Sequence, residues 1–204
     1  MLNNVRSLAS EGLCNQTDAE KVILPEGLTT IEPAGLAGLK LKSITIPSTV
    51  TEMFEAFAYD NGTYETIAFA EGMTRIPDGA LYSSDTQFVV KNIVIPNSVT
   101  SIGDTAFGCT IPNLIIPNSV TNIEEYAFAY GSIQTIDLSA FTTNNFPTLA
   151  GSDYIFDLDA VRYSGKIIVA AGRKKDLLNS DWGQYVQPDQ VIEAVNNTND
   201  IENI

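Results

Sequence analysis

A repeated ten-residue pattern constrains the fold of this 204-residue chain more than any other feature of the sequence. The pattern reads IVIPNSVTSI at residues 93–102 and LIIPNSVTNI at residues 114–123, and each copy continues to an Ala-Phe pair that ends at Phe107 or Phe128. Weaker copies flank these two, so the proline position recurs at residues 25, 47, 70, 96, 117 and 139, in steps of 22, 23, 26, 21 and 22. Such a period predicts stacked structural repeats that share one continuous core.

Each repeat is typical of a short strand followed by a return path. The apolar-x-apolar triplet before the proline has a period of two, which indicates a strand with one buried face. Proline cannot donate to a sheet ladder and ends the strand, and the Asn-Ser or Glu-Gly pair that follows favours a turn. The residues left in each repeat are too few for a long helix, so we expect extended or 3₁₀ segments there. The sequence therefore predicts a β-rich solenoid with a parallel sheet and about six to seven repeats of 21–26 residues.

The composition of the chain excludes several classes of function. Lys and Arg number 11 and Asp and Glu 25, and the resulting net charge of −14 repels nucleic-acid phosphates and anionic lipids. The sequence contains no histidine, which excludes Ser-His and Cys-His catalysis and histidine-ligated zinc within this chain. No apolar run is long enough to span a membrane, and no motif indicates a cofactor or a metal. The two cysteines, Cys14 and Cys109, have no metal-ligand spacing, and we expect both to be free thiols.

The pattern Ile-x-Ile-Pro-x-Ser-Val-Thr-x-Ile-x4-Ala-Phe resembles the leucine-rich repeat of BspA-like bacterial surface proteins. The likeness is most specific in residues 93–109 and 114–130 and covers about residues 1–188. Copies in that family often carry a cysteine after the phenylalanine, and Cys109 has that place here. In other copies the same place is taken by Tyr59, Tyr82 and Tyr130. The resemblance implies a right-handed leucine-rich repeat superhelix, extracellular or on the cell surface of a host-associated bacterium, that binds or adheres without catalysis.

The repeats and this likeness divide the chain into a solenoid, residues 1–188, and a polar tail. The predicted segments are a partial N-terminal repeat (1–21), regular repeats (22–138), an irregular insertion (139–165), a C-terminal cap (166–188) and the tail (189–204). The partial repeat follows from Val5, Leu8 and Leu13, which match the second half of a repeat. A fragment that begins in mid-solenoid and a degenerate N-terminal cap both explain this match. The C-terminal cap is expected to be a strand followed by a helix, with the only tryptophan, Trp182.

The middle residue of each strand triplet is expected to point away from the core, onto the sheet face that horseshoe-shaped repeat proteins use for ligands. These residues are Ile23, Thr45, Ala68, Val94, Ile115, Asp137 and Ile168. The residues before the triplets also point outward, and they are Lys21, Ser43, Thr66, Asn92, Asn113, Thr135 and Lys166. Along a face of seven strands, about 29 Å long, we predict a ligand-binding strip made of Thr45, Ala68, Val94, Ile115, Asp137, Asn92 and Asn113. The alternative is that β-branched residues occupy these positions only because they favour strands.

Two acidic groups suggest chemistry, but each has a simpler structural explanation. Asp153, Asp157 and Asp159 lack the glycine and the terminal glutamate of a calcium-binding loop, which favours a solvated acidic loop over a calcium site. Glu124 and Glu125 are chain neighbours whose side chains diverge on a strand or turn. A solvated face is therefore favoured over a pair of carboxylates for glycoside hydrolysis.

A group of aromatic residues suits a platform on which sugar rings stack. Its members are Phe54, Tyr59, Tyr64 and Tyr82. Core positions in the repeat explain Tyr59 and Tyr82 better.

These observations predict a non-catalytic module that binds a surface protein of a host or neighbouring cell through the strand face. A carbohydrate-binding module and a structural spacer of a larger surface protein are the alternatives. An exposed aromatic platform would favour the carbohydrate, and a fully polar sheet face would favour the spacer. We expect a monomer that uses no cofactor, binds no nucleic acid and does not insert into a membrane.

Overall fold

Thirteen short strands and one short α-helix make up the computed structural model, which describes residues 5–15, 21–39, 41–60, 62–85, 87–150, 154–156 and 163–195. The strands are β1 (Ser7–Leu8), β2 (Thr30–Ile31), β3 (Ser43–Ile46), β4 (Thr63–Phe69), β5 (Arg75–Ile76), β6 (Val89–Val94), β7 (Ser101–Ile102), β8 (Thr110–Ile115), β9 (Asn122–Ile123), β10 (Ser132–Leu138), β11 (Thr148–Leu149), β12 (Lys166–Val169) and β13 (Val191–Glu193). The helix α1 (Lys174–Leu178) precedes two 3₁₀ turns, Asp181–Gln184 and Pro188–Gln190.

The longer strands form one parallel sheet of seven strands in the order β13-β12-β10-β8-β6-β4-β3. The two-residue strands lie on the return path and form a parallel sheet in the order β11-β9-β7-β5 and a separate pair, β1-β2. Each strand therefore pairs with the equivalent strand of the next repeat. This arrangement is the predicted solenoid with a parallel sheet, and it has about seven turns.

The core lies between the two sides of the solenoid and is built from repeated columns of side chains. Phe107 and Phe128 are both buried, and their rings stack with centroids 6.1 Å apart. Phe128 stacks in turn on Phe156 at 5.4 Å, and Phe156 contacts Trp182 of the cap at 6.1 Å. The Ala-Phe pairs of the repeat thus form a continuous aromatic column that reaches the C-terminal cap.

The strands are longer than the triplets alone predict. Four strands of the main sheet, β4, β6, β8 and β10, begin before the triplet. Each of them contains an additional buried residue, three positions before the first residue of the triplet. These additional core residues are Tyr64, Val90, Ile111 and Ile133. Two residues outside the core separate each of them from the triplet, so a strict period of two is interrupted and each strand turns a corner there. The triplet pattern does not reveal this corner because the triplet begins after it.

The two ends of the main sheet differ from the sequence prediction. Residues 22–24 form no strand, although they carry the repeat triplet, and the Ile23 side chain is 77% exposed. At the other end, β13 pairs with β12 and buries Val191, within the segment predicted to be a polar tail. Apolar burial of Val191 explains why the ordered structure continues past residue 188. The C-terminal cap has the expected order of strand and then helix, and the Trp182 indole Nε1 donates to the Pro147 carbonyl at 3.0 Å.

Threonines on the return path tie successive repeats together. In each case the hydroxyl donates to a backbone carbonyl of the preceding repeat, at distances of 2.9 to 3.5 Å. The donors are Thr29, Thr51, Thr100, Thr121 and Thr148. The threonine of the Ser-Val-Thr motif therefore has a structural role, because its hydroxyl supplies a hydrogen bond to a backbone carbonyl of the preceding repeat.

One carboxylate is buried inside this framework. Asp60 is 1% exposed, and its side chain accepts hydrogen bonds from the backbone N–H groups of Gly62 at 2.7 Å and Gly38 at 3.1 Å. The Tyr64 hydroxyl lies 3.2 Å from the same carboxylate and donates to the Leu39 carbonyl at 2.8 Å. Burial raises the pKa of Asp60 above its model-compound value of 3.8, and the hydrogen bonds only partly oppose this effect.

Phe107→Ala should lower the free energy of unfolding by about 3 to 5 kcal/mol, because it removes a fully buried ring from the aromatic column. The matched control is Phe54→Ala, which removes a phenylalanine that is 52% exposed and should have a clearly smaller effect. Urea-induced unfolding of the two variants and the parent chain measures the difference. Equal losses in the two variants would contradict the assignment of Phe107 to the core.

The raised pKa of Asp60 should make its contribution to stability fall as pH increases. A group whose pKa is higher in the folded chain than in the unfolded chain stabilises the fold fully when the pH is below the unfolded pKa, here 3.8. That contribution is lost as the pH rises through the folded pKa. The difference in unfolding free energy between the parent chain and Asp60→Asn should therefore decrease from about pH 4 towards neutral pH. Urea unfolding across this range tests the sign. Glu71→Gln removes one exposed carboxylate and controls for the change in net charge; a difference that grows with pH would refute the argument.

Candidate functional site

The outward side of the seven-stranded sheet is the strand face, and it contains all the residues predicted to bind a ligand. Val94 is 44% exposed and Ile115 is 50% exposed, although both are aliphatic. Among the polar members, Thr45, Asn92 and Asn113 are exposed, whereas Asp137 is half-buried, as is Ala68. The alternation of buried and outward residues within the triplets places these side chains outside the core.

The register of the strands aligns these residues in rows across the face. Thr45 pairs with Ala68, Ala68 with Val94, and Ile115 with Asp137. The Val89–Thr110 pairing of β6 with β8 has an offset of 21 residues, and the same offset sets Val94 level with Ile115. Since neighbouring strands are about 4.8 Å apart, these residues form one continuous row. The two exposed aliphatic side chains are adjacent at its centre.

A second row runs beside the first and is polar. Ser43 pairs with Thr66, Thr66 with Asn92, and Asn113 with Thr135. The Asn92 side-chain amide lies 3.5 Å from the Thr66 hydroxyl, within reach of a weak hydrogen bond. The first row has an aliphatic centre, and we call it the aliphatic row; its members are Thr45, Ala68, Val94, Ile115, Asp137 and Ile168. Hydroxyl and amide groups of the second row lie along one side of it.

The structure adds Ile192 to the aliphatic row, a residue that the sequence analysis assigned to the tail. Ile192 is 47% exposed and pairs with Ile168, which itself pairs with Asp137. The signal that could have identified it is the β-branched pair Val191-Ile192 within a polar segment. The structure also removes Ile23 from the sheet, as described above. Between residues 21–26 and β3 there is instead an open groove of about 370 Å³.

The side chain of Asp137 is engaged in its own turn. Its Oδ1 accepts a hydrogen bond from the Ser139 N–H at 2.8 Å, just after β10 ends. Asp137 therefore stabilises the turn that replaces the Pro-containing turn of other repeats. The polar group of this predicted binding residue therefore has a structural role.

The predicted aromatic platform divides into buried and exposed residues. Tyr64 is fully buried in the core, whereas Tyr59 is 79% exposed. The core position expected for Tyr59 is therefore wrong. Tyr59 lies in a turn and has a φ of 60°. The equivalent Cys109 is buried, and its turn is one residue shorter. Three residues separate Phe107 from Ile111, the next buried strand residue, whereas four residues separate Phe128 from Ile133.

The acidic candidates give no catalytic or metal-binding arrangement in the described part of the chain. The Glu124 carboxylate is held by the Arg75 guanidinium, with nitrogen–oxygen distances of 2.7 and 3.2 Å, so it joins repeats two steps apart. Asp153, Asp157 and Asp159 lie outside the described residues. Within the described ranges, no three cysteine or acidic side chains come together as a metal site would require. No helix found there has the length and apolar character of a membrane span.

The two cysteines are both free, and they differ in accessibility. Cys14 is half-buried and its Sγ accepts from the Asn15 side-chain amide at 3.1 Å. Cys109 is 3% exposed in the core, and burial raises the pKa of its thiol. A buried thiol with a raised pKa is a poor nucleophile, so Cys109 has a packing role.

Comparison with known proteins identifies the repeat. A model of the BspA type leucine-rich repeat region matches this chain in six copies, over residues 1–90 and 86–150. No curated protein matches the chain. A solved structure of a leucine-rich repeat protein from Bacteroides ovatus is similar, with 20% identity and a TM-score of 0.47. The match covers 83% of this chain and 48% of that protein, so this chain spans about half its length.

Thiol labelling should separate the two cysteines. Because Cys109 is buried and its pKa is raised, iodoacetamide at neutral pH should modify Cys14 alone in the folded chain and both cysteines after unfolding. Peptide mass mapping of both samples measures the sites. Equal labelling rates of Cys14 and Cys109 in the folded chain would contradict the core position of Cys109.

Proposed function

The chain belongs to the BspA-type leucine-rich repeat family, and from this membership we propose that it is a protein-binding module that acts through its strand face. Families of this type form surface-associated repeat and binding modules and are typically not catalytic. The partner we propose is a surface protein of a host or neighbouring cell. The location we propose is extracellular or on the cell surface, and the module acts as a monomer.

The observation that carries the proposal is the pair of exposed aliphatic side chains, Val94 and Ile115, at the centre of a regular sheet face. Protein interfaces have an apolar centre surrounded by a polar rim. The aliphatic row of the strand face and its flanking hydroxyl and amide groups match that pattern. A rigid sheet also loses little conformational entropy when it binds.

The same observation distinguishes binding from a spacer role. A structural spacer needs no exposed aliphatic residues, and a fully polar strand face would serve it better. Ile192 extends the aliphatic row at one end of the sheet and is 47% exposed. Several exposed β-branched residues on one face favour a contact surface, because apolar side chains grouped on a surface promote association.

The charge of the chain indicates the kind of protein that would bind. A net charge of −14 favours encounter with neutral or basic surfaces and disfavours acidic ones. Because the same face repeats along the solenoid, several weak contacts could act together on an extended partner. The partner is therefore expected to present a neutral or basic surface of comparable length.

Ile115→Lys should abolish binding through this face, since it places a desolvated charge at the centre of the contact. The measurement is binding of the chain to an array of purified matrix and cell-surface proteins. The control is Asn118→Lys, which introduces the same charge at an exposed turn of the same repeat, outside the sheet. We expect a loss of at least about tenfold for Ile115→Lys and little change for the control. Equal binding by both variants would contradict a role for the strand face.

A further inference from the structure

Exposed and half-buried aromatic side chains line the turns that precede the long strands, away from the aliphatic row of the strand face. We define the aromatic row as Phe54, Tyr59, Tyr82, Tyr126, Tyr130 and Tyr154, of which Tyr82 and Tyr126 are half-buried. Tyr59 is 79% exposed, Phe54 52%, Tyr130 50% and Tyr154 39%. Aromatic rings normally contribute most by being buried, so a set of exposed rings at one side of the solenoid requires an explanation.

Two pairs of rings within the aromatic row are in contact across repeats. The rings of Tyr82 and Tyr130 meet edge to face with centroids 5.6 Å apart, although the residues belong to repeats two steps apart. The intervening repeat has Gly108 at this point, where a Cβ atom would come within 2.8 Å of the Tyr82 ring. Tyr126 and Tyr154 stack face to face, also at 5.6 Å. The Tyr82–Tyr130 pair therefore spans two repeats along the axis of the solenoid.

The backbone beneath these rings adopts a conformation that tyrosine disfavours. Tyr59, Tyr126 and Tyr130 have φ values of 60°, 57° and 62°, in the left-handed region. The equivalent turn positions of other repeats have the same conformation, at Gly38 with φ 67° and Gly79 with φ 58°, and also at Ala34, Glu55 and Thr105. The left-handed conformation is therefore a feature of the repeat, and glycine is the residue that accepts it most readily.

The chemical groups around the aromatic row indicate the ligand. Burial and then the charge of Glu55 raise the pKa of Tyr82, and burial and then the charge of Glu125 raise that of Tyr126. The surface therefore combines apolar ring faces, neutral phenol hydroxyls and nearby carboxylates. A sugar ring presents apolar C–H groups on its faces and hydroxyls around its edge, which complement these groups. The net charge of −14 disfavours an acidic polysaccharide.

We propose that the aromatic row binds a neutral oligosaccharide, whose sugar rings stack on Tyr82 and Tyr130 and whose hydroxyls bond to the adjacent polar groups. The repetition of aromatic residues along the solenoid suits a polymer of repeated units, because successive sugars meet equivalent sites. A peptide has no such regular alternation of apolar faces and hydroxyls. This proposal is independent of the strand face and of the protein partner proposed for it.

The test is titration of the full chain with four neutral hexasaccharides, namely the β-1,4-glucan, β-1,3-glucan, mannan and chitin oligomers, by calorimetry and saturation-transfer NMR. At least one should bind, and Tyr82→Ala should weaken it by about tenfold or more. Tyr130→Phe keeps the ring and should bind within about threefold of the parent chain. Ile115→Lys on the strand face is the matched control and should bind the sugar normally.

Replacement of the strained tyrosines by glycine separates binding from folding. Tyr130→Gly should leave the melting temperature unchanged or higher, because glycine accepts the left-handed conformation, while sugar binding is lost. Three results would overturn the proposal: no binding of any neutral hexasaccharide, binding that survives both Tyr82→Ala and Tyr130→Gly, or binding at these residues of a lysine-rich peptide or a heparin hexasaccharide alone.

Discussion

Parallel hydrogen bonding between equivalent positions of successive repeats is the constraint on which this structure depends. Every pair of neighbouring strands in the main sheet is joined in this way, and the threonine hydroxyls of the return path repeat the same connection. Because equivalent residues become neighbours, the phenylalanines of successive repeats form an aromatic column, and the outward residues of successive strands form a row. The core and the candidate binding surfaces are therefore consequences of the same register.

Much of this arrangement could be predicted from the sequence, because the physical cause lies within each repeat. The triplet before each proline has a period of two, and this was sufficient to place Val94 and Ile115 outside the core. The Ala-Phe pairs carry a spacing that recurs in register, and Phe107 and Phe128 are accordingly buried neighbours. The family likeness was also confirmed, since six copies of the repeat match its model.

The remaining features depend on contacts that a single repeat does not contain. Residues 22–24 carry the triplet yet form no strand, and an open groove lies between them and β3. Val191 and Ile192 are a short apolar pair in a polar segment, and they gain strand structure only from β12. Tyr59 is exposed and Cys109 is buried although both follow the core phenylalanine of their repeat by two positions, a difference that the repeat pattern does not contain. The aromatic row was therefore only partly visible in the sequence.

The register has a further consequence for how the chain reaches this structure. Most backbone hydrogen bonds between neighbouring repeats join residues 20 to 27 positions apart, for example Ile31 with Glu52 and Thr100 with Thr74. This separation is about one repeat, so the pairing of neighbouring strands is local along the chain. Each repeat has only a short loop to close before it joins its neighbour. Structure in an array of this kind can start in any repeat and spread in both directions.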